Sequence, residues 1–164
     1  MRYLLKQKLW SFTDSFNIYN ANQQAVYQVK GKPFSWGDQL SFQDMSGREL
    51  ATISQKLFTF MPKYELYKDG QLFAEIIKEF SWFRSQFTLD VPGPNDYAIT
   101  GSFWEREYTF VRQKQVVATV SKKFWSWADT YGVDILDGED DIAILATVVV
   151  IDLVLHDEDG RSTQ

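Results

Sequence analysis

The chain contains no cysteine, one histidine and four prolines. Without cysteine there are no disulfides, no thiolate metal sites and no cysteine nucleophile. With His156 as the sole imidazole, a serine-type triad or a multi-histidine zinc site lacks its usual parts. Membrane-length apolar runs are also missing. The closest, Ile142 to Leu155, is 14 residues long, carries Asp152 and is too short to span comfortably. The start, MRYLLKQKLW, has neither the apolar centre nor the cleavage site of a secretory signal. A soluble cytoplasmic protein is therefore expected. No dense basic stripe is present and the pI is near 4.9, so a nucleic-acid partner is not expected. Phosphate-binding glycine motifs, nucleophile elbows and metalloprotease helices are absent, and no Asp/Glu spacing selects a catalytic pair. The chain is accordingly expected to be non-enzymatic and to need no cofactor or metal.

Aromatic residues, by contrast, make up 16% of the 164 residues. Rings favour strands and large cores, and a chain of this mass folds to roughly 8,400 Å² of surface, burying roughly 70% of its extended area. No covalent staple is needed. Charge is unevenly spread. Residues 1–127 hold 16 Lys/Arg against 12 Asp/Glu, a net of +4, whereas residues 128–164 hold 1 against 10, a net of −9. The body is mildly basic and the C-terminal part strongly acidic.

Short alternating apolar runs separated by turn residues recur along the body. Asp44-Met45-Ser46-Gly47 punctuates one pair, Pro92-Gly93-Pro94 another, and Asp69-Gly70 is the strongest hairpin signal. With residues 2–9 included, about a dozen strands are expected between about residues 2 and 136, within a single domain covering 1–164. Many short strands at regular spacing read as a sandwich or barrel. Three stretches also resemble one another: those beginning at Ala51, Ala74 and Ala118. Each runs strand, aromatic-rich connection, strand. Their shared positions hold Ile53, Ile76 and Val120; then Gln55, Lys78 and Lys122; then the apolar Leu57, Phe80 and Phe124; then Tyr64, Phe87 and Tyr131.

Residues 140–156 depart from this pattern. Asp140 and Asp141 suit a helix N-terminus, and the apolar run is longer than an ordinary strand, although its Val and Ile content keeps a buried strand in competition. A helix apolar on all sides must be surrounded by protein or lipid. A helix threaded through a β-barrel is favoured over one packed outside or in a membrane. Residues 157–164 are expected to form an acidic tail, solvated and frayed.

Several segments carry a family likeness. They are Asp44–Gly47 leading into Leu50–Ile53, then Tyr64–Leu66, Tyr97–Gly101, Val117–Lys123, Tyr131–Asp134 and Ile144–Asp152. In order and extent these resemble the LURP-one-related proteins of the tubby-like and phospholipid-scramblase-like superfamily. The resemblance implies a mainly β fold: a twelve-stranded tubby-like barrel enclosing a central hydrophobic C-terminal α-helix. It also implies a non-enzymatic role. Some tubby-like relatives bind phosphoinositides, and scramblase-like relatives have been linked to calcium.

Cations beside rings in Lys78–Arg84 and Lys122–Trp127 make Lys78, Arg84, Lys122 and Lys123 candidate ligands for an anionic lipid headgroup at a membrane surface. The plainer reading fills the barrel ends with the rings and leaves the lysines solvated. Alternation sends Lys78 and Lys122 inward near a barrel mouth, where Asp152 or a ligand anion would partner them, and sends Lys123 to solvent. Asp152 is expected to be a structural buried acid, hydrogen-bonded to the barrel lining or paired with Lys/Arg. The acids of Asp137–Asp141 and of Asp157–Asp159 are read as turn, cap and solvated helix end in preference to a calcium site. Two functional classes remain: a peripheral module for anionic lipid, and a protein-interaction scaffold that uses an exposed barrel edge.

Overall fold

A computed structural model describes residues 1–6, 15–32, 39–123 and 129–162. Twelve strands precede one helix. The strands are β1 (Arg2–Lys6), β2 (Ser15–Asn20), β3 (Ala25–Gly31), β4 (Gln39–Asp44), β5 (Glu49–Gln55) and β6 (Lys63–Lys68). They continue as β7 (Gln71–Glu79), β8 (Gln86–Asp90), β9 (Tyr97–Ser102), β10 (Glu107–Arg112), β11 (Gln115–Ser121) and β12 (Thr130–Ile135), and the helix α1 is Asp141–Ser162. Every strand pairs antiparallel with its sequence neighbours, and β1 pairs with β12 in the register Arg2↔Asp134 to Lys6↔Thr130, closing the barrel. This closure corrects one expectation. Each described strand has two neighbours, so the scaffold reading loses the open edge it required.

Turn chemistry sets the registers. At the β6–β7 hairpin, Asp69 and Gly70 both have positive φ (50° and 73°), the pair of left-handed residues that a two-residue hairpin requires. At β4–β5, the Asp44 carboxylate accepts bonds from the Ser46 and Arg48 amides at 2.9 and 3.0 Å. Alternation along the strands turns one face inward. Ala51 and Ile53, Tyr64 and Leu66, Ala74 and Ile76, Phe87 and Leu89, and Tyr131 and Val133 are all buried.

That inner face encloses α1, whose residues Ala143 to Leu155 are buried without interruption. No side of this segment is polar, as a helix surrounded by protein requires. It lies nearest β5, β6 and β7, where the small Ala51 and Ala74 let it approach. Asp140 caps it by accepting a bond from the Ala143 amide at 3.0 Å. Acids at this N-terminus are tied to the barrel: Lys68 pairs with Asp140, the Tyr3 hydroxyl donates to Asp141, and Arg112 and Tyr97 both donate to Glu139. These bonds account for Glu139, Asp140 and Asp141 as cap and anchor, and Asp137 is left exposed in the turn before them. The helix runs to Ser162, six residues past the expected end at 156, so most of the expected tail is helical. The Lys78–Glu158 ion pair and the bond from the Ser162 hydroxyl to the Glu158 carbonyl (2.9 Å) hold these last turns. Among the described residues no helix is long and apolar enough to cross a membrane.

Candidate functional site

Because the strands alternate in direction, connections that follow odd-numbered strands share one end of the barrel. The helix starts at the other end, the cap end, and finishes here, at what we term the mouth. The two ends differ in chemistry. Cap-end connections such as 21–24, 45–48 and 113–114 are short and mostly polar, whereas the described mouth connections 56–62, 80–85 and 103–106 are rich in rings. All three similar stretches of sequence span mouth connections. Ile53, Ile76 and Val120, like Tyr64, Phe87 and Tyr131, are buried inward residues, whereas Leu57 and Phe80 are exposed and the first two aromatic centres lie in mouth loops. Of the third centre, Phe124 to Trp127 lie outside the described residues.

The 56–62 and 80–85 loops put their rings in water. Phe58 is fully exposed, Phe60 is 91% exposed, Phe83 95% and Trp82 84%, values rarely left to large apolar groups in a cluster. Three rings form a chain: Phe60 and Phe80 lie 6.4 Å apart between centroids, and Phe80 and Trp82 meet edge to face at 5.2 Å. The Lys78 amide donates to the Pro62 carbonyl at 3.0 Å and joins the two loops at their base. Ser81 orders the second loop, its hydroxyl accepting from the Arg84 amide at 3.2 Å. Phe58 has φ 61°, a left-handed conformation costly for a bulky residue. Trp104, about half exposed, adds a ring from the third loop.

All four candidate cations lie at this end, but not together. Lys78 lies near the end of β7, just before the 80–85 loop, and Arg84 lies in that loop. Lys122 and Lys123 follow β11, four strand steps from β7 or about 19 Å around the wall. Lys78 points inward and pairs with Glu158. Arg84 is exposed. Lys122 is half-buried, its amide donating to Glu107 at 2.9 Å, and Lys123 is exposed with its ammonium 3.9 Å from the same carboxylate. Asp152 does not partner Lys78. It belongs to a separate cluster that sequence reasoning did not locate. Buried just inside the mouth, its Oδ1 lies 3.1 Å from Nε of Arg106, and the Tyr131 hydroxyl donates to its Oδ2. Arg106, itself 8% exposed with φ 55°, also donates to the Trp104 carbonyl at 3.0 Å. Nothing in a lone arginine at a turn marks it as the partner of a helix acid 46 residues later. Among the described residues no group of three or more His, Asp or Glu is placed to hold a metal ion.

Tyrosines line both ends of the interior, and burial raises their pKa. Tyr97 is pushed up to about 12 by burial and by its bond to Glu139. Tyr108 and Tyr131 go well above the ordinary value through burial and then the charge of Asp152. An unfolded tyrosine loses its proton near pH 10. The native chain therefore retains more protons than the unfolded one above that pH. Stability is fully present below about pH 10 and falls as pH rises through about 12. In an alkaline titration, tyrosinate absorbance from the buried rings should appear together with loss of the β circular dichroism. Full titration near pH 10 with the fold intact would contradict the placement of these rings.

The family model described as LURP-one-related matches residues 1–152. The chain belongs to the LURP-one-related family. The uncharacterized protein YxjI of Bacillus subtilis is 35% identical over 158 residues, covering 96% of each chain. A crystal structure of an Arabidopsis thaliana protein shares the fold at a TM-score of 0.64 and 18% identity, covering 92% of this chain and 88% of that one. The LURP-one-related match contains every strand and the helix as far as Asp152. Glu158 and the last turns of α1 lie beyond it.

Proposed function

We propose that this LURP-one-related chain is a peripheral module that docks its mouth on anionic membranes and performs no covalent chemistry. The observation carrying this reading is the group of solvent-exposed rings on two joined loops at one end of a closed barrel. Aromatic side chains favour the boundary between headgroups and acyl chains. Arg84 and Lys123, exposed at the same end, supply headgroup contacts worth about 1 kcal/mol per cation near an anionic surface. Glu107 beside Lys123 keeps this electrostatic share modest, so ring burial carries most of the affinity.

Sedimentation with phosphatidylserine vesicles tests this reading. The chain should bind at low salt and release partly as salt is added. Phe58→Ser combined with Phe83→Ser should weaken binding at least about tenfold, since each ring taken from water contributes on the order of 1.5 kcal/mol. Its melting temperature should stay near that of the parent, because neither ring packs in the core. Absence of sedimentation at low salt, or a double variant that binds undiminished, would leave the same rings as a protein-interaction surface.

A further inference from the structure

Lys78 is nearly buried, yet it sits where a docked headgroup phosphate would arrive: at the base of both ring-bearing loops, its amide bonded to Pro62 and its side chain turned into the mouth. Its ammonium is held by Glu158, a residue in the last turns of α1. These turns differ from the rest of the helix. Residues Ala143 to Leu155 are buried, while His156, Asp157 and Glu158 are half-exposed and Asp159 to Ser162 are exposed. Asp157, Glu158 and Asp159 also stand near the helix C-terminus, where the backbone dipole disfavours negative charge. Little apolar contact and an adverse dipole make this the part of the helix that opens at least cost.

We infer that Glu158 is an internal stand-in for an anionic ligand: its carboxylate occupies Lys78 until a phosphate group displaces it. The inference rests on the docking reading and adds regulation to it. With Glu158 in place, the mouth presents its rings but withholds the cation at the base of their loops. Once the last turns of α1 open, Lys78 meets the phosphate and Glu158 moves into water, so ligand and helix end compete for one ammonium.

Vesicle sedimentation and calorimetric titration with inorganic pyrophosphate test this on the full chain. Glu158→Gln should bind phosphatidylserine vesicles about fivefold more tightly, the gain of one freed cation near an anionic surface. Lys78→Gln in the Glu158→Gln background should erase the gain. Asp157→Asn makes the same change in net charge without touching Lys78 and should leave affinity close to that of the parent. A gain for pyrophosphate as well assigns the site to phosphate chemistry in general; a gain on vesicles alone assigns it to lipid headgroups. Equal gains from Glu158→Gln and Asp157→Asn, or no gain with either probe, would overturn the inference. Failure of the parent chain itself to sediment would instead count against the docking reading, and the pyrophosphate arm would then decide the Lys78 site alone.

Discussion

Replacing Arg106 with alanine should destabilise the fold by about 3–5 kcal/mol, the range found when one partner of a buried ion pair is removed. Asp152 is 2% exposed, and after the substitution its Oδ1 would lack the guanidinium 3.1 Å away. Tyr131 would still donate to Oδ2, but a neutral hydroxyl does not replace the guanidinium charge beside a desolvated carboxylate. The barrel also loses the bond from Arg106 to the Trp104 carbonyl, which shapes the 103–106 connection. Urea denaturation of three chains separates these contributions. Arg106→Ala should show the full loss, and adding Asp152→Asn should recover a large part by removing the stranded charge. The remaining deficit measures the packing and loop terms. A single-variant loss under about 1 kcal/mol would mean that water reaches Asp152 and that the pair is not sealed inside the mouth.

Val148→Asp should have the larger effect still and abolish folding. Val148 is fully buried within the segment Ala143–Leu155, which has no solvent-facing side, so the carboxylate would have nowhere to turn. An unpaired buried charge costs several kcal/mol even after relaxation, comparable with the roughly 5–15 kcal/mol that holds an ordinary domain together. Val148→Thr is the informative companion. Its neighbour Thr147 already returns its hydroxyl to the Ala143 carbonyl at 2.7 Å, so a helix hydroxyl is satisfiable in this core. The threonine variant should fold with a loss of about 1–3 kcal/mol. A soluble Val148→Asp chain melting near the parent temperature would show that the helix does not form the centre of the barrel.

What the sequence disclosed follows from how locally each feature is encoded. Asp69-Gly70 announces its hairpin because two adjacent left-handed residues suffice to make it. The inward faces of β5, β7 and β11 were legible from Ala51, Ala74 and Ala118 with their partners two residues on, since a period of two is a property of one strand. The helix end at Ser162 was missed because Asp157 to Gly160 oppose helix formation locally, and the ion pair holding them comes from 80 residues earlier. For the same reason Lys78 could be placed on an inward face but not matched to Glu158. Arg106 was invisible as a partner of Asp152: the contact exists only because β10 begins at the mouth where α1 ends. The gathering of ring-bearing loops at one end was implicit in the three similar stretches. It becomes visible once strand direction is assigned to each.

A helix inside a closed wall also constrains the order in which the molecule can be assembled. Strand β1 closes the barrel against β12, and α1 follows β12 in the chain, so the segment that fills the centre is made by the ribosome after all the strands that surround it. A finished cylinder offers no route for threading a 22-residue helix lengthwise. At least one seam of the wall, of which the β1–β12 pairing joins the strands farthest apart in sequence, must therefore stay open, or reopen, until the helix has settled against β5, β6 and β7. Nascent chains consequently carry an incomplete sheet with its inner face uncovered. Such a surface suits a chaperone or a neighbouring nascent chain equally well, and the β1–β12 ladder joins residues 124 to 132 apart in sequence, from Lys6↔Thr130 to Arg2↔Asp134.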